Sequence, residues 1–454
     1  DRMGRLPYLI LLTFIMLALD YYCYKAILAV FKKWKPSTKR VFTILWWSYT
    51  VVLTIGVFTS IYLNLFLSLR AVILVAYFLT VTCKLVFLPF LVIDDLRRLI
   101  TKIVRRKAKA ENAPSPLMAT PAMATAGDSE LVNSFETDLS LVSPDQDNAT
   151  QLTPAAEPIS RSSFLVKAGL AVAAIPLTSL SWGIVSGAYD YSIKRVKLVL
   201  PNLPKAFDGL TLAQVSDIHS GSFYNQKAVN GGIDMLLAEK PDLVFFTGDL
   251  VNDKATELRQ YQDIFARVKA PLGVYSIMGN HDYGEYHFGK APSAAKTKNL
   301  QDIIKTHELM GWDLLMNENR RIKVDGEEIG IVGIENWGMG RFPKYGRMDL
   351  AMENTDDLPV KLLLSHDPSH WRGQVLEEYP QIDAMFSGHT HGMQFGVRIP
   401  NFQWSPVQYI YKEWAGLYQH KHQQLYVNVG YGFLGYPGRV GMLPEITIFE
   451  LKRA

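Results

Sequence analysis

Three long apolar runs, Leu6 to about Tyr24, Val41 to about Leu63 and Ala71 to about Val92, leave the start of this chain few ways to fold. Each is close to the roughly 20 residues that carry a helix across the hydrocarbon core of a bilayer. A helix buried in a water-soluble domain would show a polar face, and these runs have none. Three transmembrane helices are therefore predicted. Tyr8, Tyr21, Tyr22, Trp34, Trp46 and Trp47 lie towards their ends or flanks, where amphipathic rings favour the headgroup level. A mean hydropathy of +0.05 over 454 residues, high for a purely soluble enzyme, agrees with a membrane part. The two cysteines, Cys23 and Cys83, both sit in apolar stretches, so the chain builds neither a disulfide framework nor a thiolate zinc site.

The net charge of +4 matters less than where the charges fall. Lys25, Lys32, Lys33, Lys35, Lys39 and Arg40 follow the first run, and Arg97, Arg98, Lys102, Arg105, Arg106, Lys107 and Lys109 follow the third. Both segments are expected on the cytoplasmic side, which puts the N-terminus outside. Asp20 and Lys84 fall in or near hydrocarbon, and snorkelling is expected of them rather than a helix-to-helix pair. Residues 111–160 carry acidic residues without Lys or Arg, amid Ala, Pro, Ser and Thr, and mark a disordered linker placed at 106–160, in which the sequon Asn148-Ala149-Thr150 is coincidental.

A fourth apolar run, Phe164 to about Ala188, follows Ser160-Arg161-Ser162-Ser163-Phe164-Leu165. That lead resembles a twin-arginine export signal with Ser162 where the second arginine would stand. As a signal anchor the run delivers everything after about Asp190 to the outer side. Lys194, Arg195 and Lys197 support the competing arrangement, an amphipathic helix on the inner face. The expected organisation is three transmembrane helices in 1–105, the linker in 106–160, a fourth transmembrane or anchor helix in 161–190 and a catalytic domain in 195–454. Asp1 in place of methionine is expected of a trimmed N-terminus.

All ten histidines lie after residue 200, so chemistry belongs late in the chain. There, short apolar runs end in polar clusters with helical stretches between them, the pattern of an α/β domain. Leu210–Val215 leads into Asp217 and His219, Leu243–Phe246 into Gly248-Asp249, and Val274–Met278 into Asn280-His281-Asp282. Val360–Leu364 leads into His366, and Ile382–Phe386 into His389-Thr390-His391. Five strands thus deliver ligand-type residues at their carboxyl ends, where α/β sheets bind ligands. Asp217, His219, Asp249, Asn280, His366, His389 and His391 mix imidazole with oxygen donors, a set suited to Zn, Mn or Fe and not to calcium. Seven side chains exceed one tetrahedral site but suit two ions sharing a carboxylate, the clamp for in-line displacement at phosphorus.

These five elements, in this order, resemble the calcineurin-like metallophosphoesterases over residues 207–454. The resemblance implies a four-layer α/β/β/α sandwich, here preceded by transmembrane α-helices. It implies that Asp217, His219 and His391 bind one metal ion, that Asn280, His366 and His389 bind the other, and that Asp249 bridges them. The two ions would be divalent or trivalent, and a hydroxide bridging them would attack phosphorus. His281 is then a catalytic residue facing the substrate phosphate, with Asp282 orienting its ring. Of the remaining histidines, His370 is placed near the site, and His287, His307, His420 and His422 on the surface.

A Walker A spacing from Gly284 to Lys290 lacks a hydroxyl at Ala291, no Gly-x-Ser-x-Gly occurs, and the catalytic half has no basic stripe for nucleic acid. The resemblance is nearest to membrane-anchored bacterial phosphoesterases of the YkuE and YaeI type, some relatives of which cleave the pyrophosphate of UDP-2,3-diacylglucosamine. The stretch from Tyr431-Gly432 through Arg439 to Pro444-Glu445 carries it, as does Gly392-Met393-Gln394, although a second glycine is usual where Met393 stands. Phe395, Phe402, Trp404, Tyr409, Tyr411, Trp414 and Tyr418 follow the last motif, and form either a membrane-facing lid or packing for a sheet. The expected protein is a multi-pass enzyme of the bacterial inner or plasma membrane, its catalytic domain outside the cytoplasm, hydrolysing phosphomono- or diesters that include amphiphilic, lipid-linked ones. The alternative is a non-enzymatic membrane scaffold or sensor with a vestigial domain, whose mark would be a lost ligand.

Overall fold

In hydrocarbon every backbone N–H and C=O must be bonded within its own segment, so the apolar runs become helices. A computed structural model describes residues 6–62, 67–111 and 160–454. It contains α1 (Leu6–Val30), α2 (Pro36–Tyr62), α3 (Leu67–Glu111) and α4 (Arg161–Val185). All four are long and apolar enough to cross a membrane. α3 outlasts its apolar run because nothing after Pro89 breaks it and Asp94 pairs along the helix with Arg97 at 2.8 Å and Arg98 at 2.6 Å. The helix therefore takes the first residues of the expected linker. Residues 112–159 of that linker, with the sequon, lie outside the described residues.

The chain divides into two compact units, Asp1–Val51 with Val81–Ala174 and Val52–Thr80 with Ile175–Ala454. Within the first, Lys84 Nζ donates to Asp20 Oδ1, both side chains close to buried, in place of the expected snorkelling. Cys23, Ile27, Phe87 and Leu91 pack α1 against α3 beside them, so a partner lies nearer than the headgroups. Ser162 accepts from Arg97 at 2.6 Å and donates to Asp94 at 3.0 Å, tying the start of α4 to α3.

The second unit carries two six-stranded mixed sheets. One runs β1 (Ser192–Leu200), β14 (Glu445–Arg453), β2 (Thr211–Val215), β3 (Leu243–Phe246), β4 (Val274–Ser276), β5 (Asp313–Leu314). The other runs β12 (Gly416–His420), β13 (Gln423–Val427), β9 (Ala384–Ser387), β8 (Lys361–Leu364), β7 (Glu327–Gly333), β6 (Glu318–Val324). The two-residue period of a strand sorts side chains into layers. On β3, Leu243 and Phe245 face the second sheet, while Val244 and Phe246 face α5 (Gln226–Ala238) and α6 (Ala294–Met310). On β8, Leu362 and Leu364 face the first sheet and Leu363 faces Trp371 and Val375 outside. The outcome is the four-layer α/β/β/α sandwich. β2, β3 and β4 belong to one sheet and β8 and β9 to the other, so the motifs come from two adjoining sheets, not from one open edge.

His307 is buried, not on the surface: its Nδ1 lies 3.0 Å from Ser276 Oγ, and the ring packs by Phe246 and Trp312. His287, His420 and His422 are exposed. His370 is a satisfied core residue, its ring nitrogens 3.0 Å from Ser365 Oγ and Gln374 Oε1.

Candidate metal centre

β2, β3, β4, β8 and β9 each end in a buried loop, and the loop residues reach towards one another. The backbone bends sharply to aim them. Asp217, His219, Asp249, His389 and His391 all have φ between 48° and 72°, a left-handed region that costs a non-glycine residue about 1–3 kcal/mol. Such strain persists only where packing over-determines it. Gly248 lets two of the loops approach, since a Cβ there would lie 2.6 Å from Gly279 N and 2.8 Å from His366 Nδ1.

The geometry gathers the predicted residues into two groups. Asp217, His219 and His391 offer ligand atoms within 4.8 Å of one another, and so do Asp249, His366 and His389. Asp249 Oδ2 is 3.5 Å from His219 Nε2 in the first group and 3.1 Å from His366 Nε2 in the second, so one carboxylate faces both. Asn280 follows β4, and its Nδ2 donates to Tyr286 Oη at 3.1 Å, leaving Oδ1 free. The sheets are also tied here, by His389 N donating to Asp217 Oδ1 at 2.9 Å.

Supporting bonds set the rings. The nitrogen Nδ1 of His366 lies 2.8 Å from the carbonyl of Thr247, which directs Nε2 inward. That of His281 lies 2.7 Å from the Asn252 carbonyl. Asn252, not Asp282, therefore orients His281, which corrects the expected role of Asp282. The Asp282 carboxylate is fully used elsewhere, accepting N–H bonds of 2.8–3.1 Å from Asp249, Leu250, Val251 and Gly279. It is a clamp on two loops, and touches no ring of the site.

Electrostatics follow from crowding. Burial pushes the Asp217 carboxyl up, but His391 and His366 outweigh it and hold the group below the usual carboxylate range. Asp249 is held down in the same way against burial, by His366 and His281. Burial disfavours the charged ring of His366, yet Asp249 carries it up to about 10. With no carboxylate strong enough to offset burial, His219 falls well below the usual range. Burial, then the charge of Asp249, push Asp282 up to about 7.

Several residues here escaped the sequence. Tyr411 Oη lies 2.8 Å from His389 Nε2, and Asp367 Oδ2 lies 3.6 Å from the same atom. Arg439 is fully buried, its guanidinium 3.2 Å from His391 Nδ1 and bonded to the carbonyls of Val429, Gly430, Gly432 and Met442. Asp367 stands next to His366 after a strand and was visible as such; nothing in spacing singles out Tyr411.

Cations fit this donor set. Among the described residues, His219 Nδ1 and Nε2, His391 Nε2, Asn280 Oδ1 and Asp367 Oδ2 are buried without a hydrogen bond. Such atoms also occur elsewhere among the described residues, but these five belong to the strand-end loops around the two groups of ligand-type side chains. Imidazole and carboxylate without thiolate suit borderline divalent ions.

A family model described as "Calcineurin-like phosphoesterase" matches residues 210–393, and one described as "Probable Calcineurin-like phosphoesterase, transmembrane domain" matches residues 5–188. "Uncharacterized metallophosphoesterase YkuE" of Bacillus subtilis is 30% identical over 257 residues, 55% of this chain and 82% of its own. The chain belongs to the calcineurin-like phosphoesterase family. Two vertebrate relatives are named as transmembrane proteins that carry such a domain. "Transmembrane protein with metallophosphoesterase domain" of Danio rerio is 29% identical over 282 residues, and its Bos taurus namesake 27% over 283, in each case 60% of this chain and 60% of the relative. The chain thus spans about 60% of the length of these vertebrate relatives. It is a membrane protein with a metallophosphoesterase domain.

Proposed function

We propose that this membrane protein hydrolyses phosphomono- or phosphodiesters at a centre of two cations, Mn, Fe or Zn. Asp217, His219 and His391 would hold one, Asn280, His366 and His389 the other, with Asp249 shared. The observation that carries the proposal is Asp249 Oδ2, which faces a histidine of each group at 3.5 and 3.1 Å. When bound, two such cations lower the pKa of a coordinated water and neutralise charge developing on phosphoryl oxygens.

The chain's own residues supply the rest. The Asn252 carbonyl accepts a hydrogen bond from His281 Nδ1–H, which turns Nε2 away from it; with the ring doubly protonated, Nε2–H donates to a phosphoryl oxygen or passes its proton to the leaving oxygen. Asp282 keeps the loops of Asp249 and His281 in register through its backbone bonds. Tyr411 limits the rotation of His389. The burial of Asp217, Asp249 and His366 keeps bulk water from screening the centre.

The finer expectations belong to the same proposal: an amphiphilic, lipid-linked substrate such as a UDP-2,3-diacylglucosamine-like pyrophosphate, and a phosphoesterase domain outside the cytoplasm of a bacterial inner or plasma membrane. The full chain in nanodiscs should hydrolyse p-nitrophenyl phosphate or its bis-ester with Mn, Fe or Zn and lose this activity with a chelator. No turnover of either ester or of lipid-linked pyrophosphate with any of the three metals contradicts the proposal. Protease protection of residues 195–454 in spheroplasts tests the side of the membrane, with cleavage expected.

A further inference from the structure

Beyond the last histidine motif the chain makes a small hairpin, β10 (Val397–Ile399) and β11 (Phe402–Trp404), that joins neither six-stranded sheet. Its pairs are Val397 with Trp404, Arg398 with Gln403 and Ile399 with Phe402. Directly paired residues share a face, so Val397, Ile399, Phe402 and Trp404 lie on one side and Arg398 and Gln403 on the other. The charged residue is the sheltered one and three of the four apolar residues are exposed, while Gln403 is exposed as well. Arg398 turns inward to the buried carboxylate of Glu445, and Gln403 donates to the Ala415 carbonyl at 3.2 Å. Ile399 is 59% exposed and Phe402 55%, and the neighbouring Tyr409 and Ile410 project further still. A hairpin that tucks its charged Arg398 inward and leaves Val397, Ile399 and Phe402 exposed has nothing to gain in water, and an isolated hairpin is at best marginal there.

What covers it is indicated by its neighbours. Phe395 bridges to Val440, and Gly396 N donates to the Val440 carbonyl at 2.9 Å. Arg439 N donates to the Gly183 carbonyl of α4 at 3.1 Å, and Tyr436 Oη donates to the Leu180 carbonyl. Tyr436 also packs against Phe78 of α3, ring centroids 6.2 Å apart. The base of the hairpin is thus one loop away from the end of a membrane-crossing helix. We propose that the apolar face of Val397–Trp404, with Tyr409 and Ile410, inserts into the lipid bilayer beside the end of α4.

The insertion has a consequence for the centre. The segment leaves from His391 and returns at Tyr411, whose hydroxyl meets His389 at 2.8 Å. Docking therefore fixes the metal centre at the bilayer surface. It stands independently of the chemistry proposed for that centre, because it concerns only where the face lies.

The test uses the full chain in phosphatidylcholine–phosphatidylglycerol nanodiscs, with Cys23→Ala, Cys83→Ala and a fluorescent NBD label at Ile399→Cys. A label at Leu309→Cys, on the exposed side of α6, is the comparison. At 399 the label should be quenched by doxyl lipids and be severalfold less accessible to iodide than at 309. Equal iodide access overturns the proposal. Shielding from iodide without doxyl quenching also overturns it, and assigns the face to a protein partner or a second copy. If the labelled variants do not fold, doxyl quenching of tryptophan fluorescence in the chain with its native cysteines decides. Trp404→Phe should remove part of the quenchable emission, and no change contradicts insertion.

Discussion

The layer between the two sheets and the loops at the ends of their strands obey opposite rules. Between the sheets, Phe245, Phe386 and Phe449 stack edge to face with centroids 5.1 Å apart, buried and without a polar atom to satisfy. Just past the ends of β2, β3 and β9, Asp217, His219, Asp249, His389 and His391 hold left-handed backbone, and buried nitrogens and oxygens lack partners. The first region is where burial stabilises the fold, and the second is where that stability holds strained, polar groups in place for a ligand. The same β3 strand serves both: Phe245 anchors it in the core, and Asp249 ends up between two histidine groups.

Substitutions should separate the two regions. The largest effect is expected of Asp249→Ala, which removes the carboxylate common to both groups: hydrolysis and bound metal should be lost together while the unfolding transition of the chelated protein stays in place. Retained activity would remove the basis for a shared carboxylate. His281→Gln should lower kcat by about 10²–10⁴-fold with bound metal unchanged, since it takes away only a proton-transfer and phosphate-binding group; loss of metal instead would make it a ligand. Phe386→Ala should do the reverse, costing about 3–5 kcal/mol of stability through a cavity between the sheets, with kcat per folded molecule preserved. A stable variant would show that the inter-sheet layer is not the support of the loops.

How much of this was written in the sequence depends on the range of each interaction. The apolar runs and the five strand-end motifs were legible because both are local: a helix needs only its own residues, and each ligand follows its own strand. Asp282 was misassigned because three of its four partners are backbone N–H groups of a loop more than thirty positions away in sequence, which no side-chain pattern reveals. The pairing of Lys84 with Asp20 and the burial of His307 depended likewise on which elements become neighbours. The hairpin's aromatics were visible, but not their direction. Trp414 packs inward while Phe402 and Tyr409 face out, a division set by strand register and by Arg398 reaching Glu445.

At neutral pH the smallest predicted effect lies back in the folded core, and it grows only as the pH falls. Burial holds His307 down to about 3, whereas an unfolded histidine titrates near 6.5. As pH falls below about 6.5 the unfolded chain binds a proton that the folded chain does not, so stability drops towards pH 3 by up to about 1.4 kcal/mol per pH unit. His307→Gln should flatten that slope by up to one proton in unfolding experiments between these limits. An unchanged slope would mean that the ring is protonated within the fold.

The central claim, a pair of cations sharing Asp249, is tested most directly by elemental analysis of the full chain, purified after manganese loading and desalting. Two metal ions per chain are predicted, with a manganese paramagnetic resonance spectrum of an exchange-coupled pair. A ratio of zero or one, or two uncoupled ions, would contradict it.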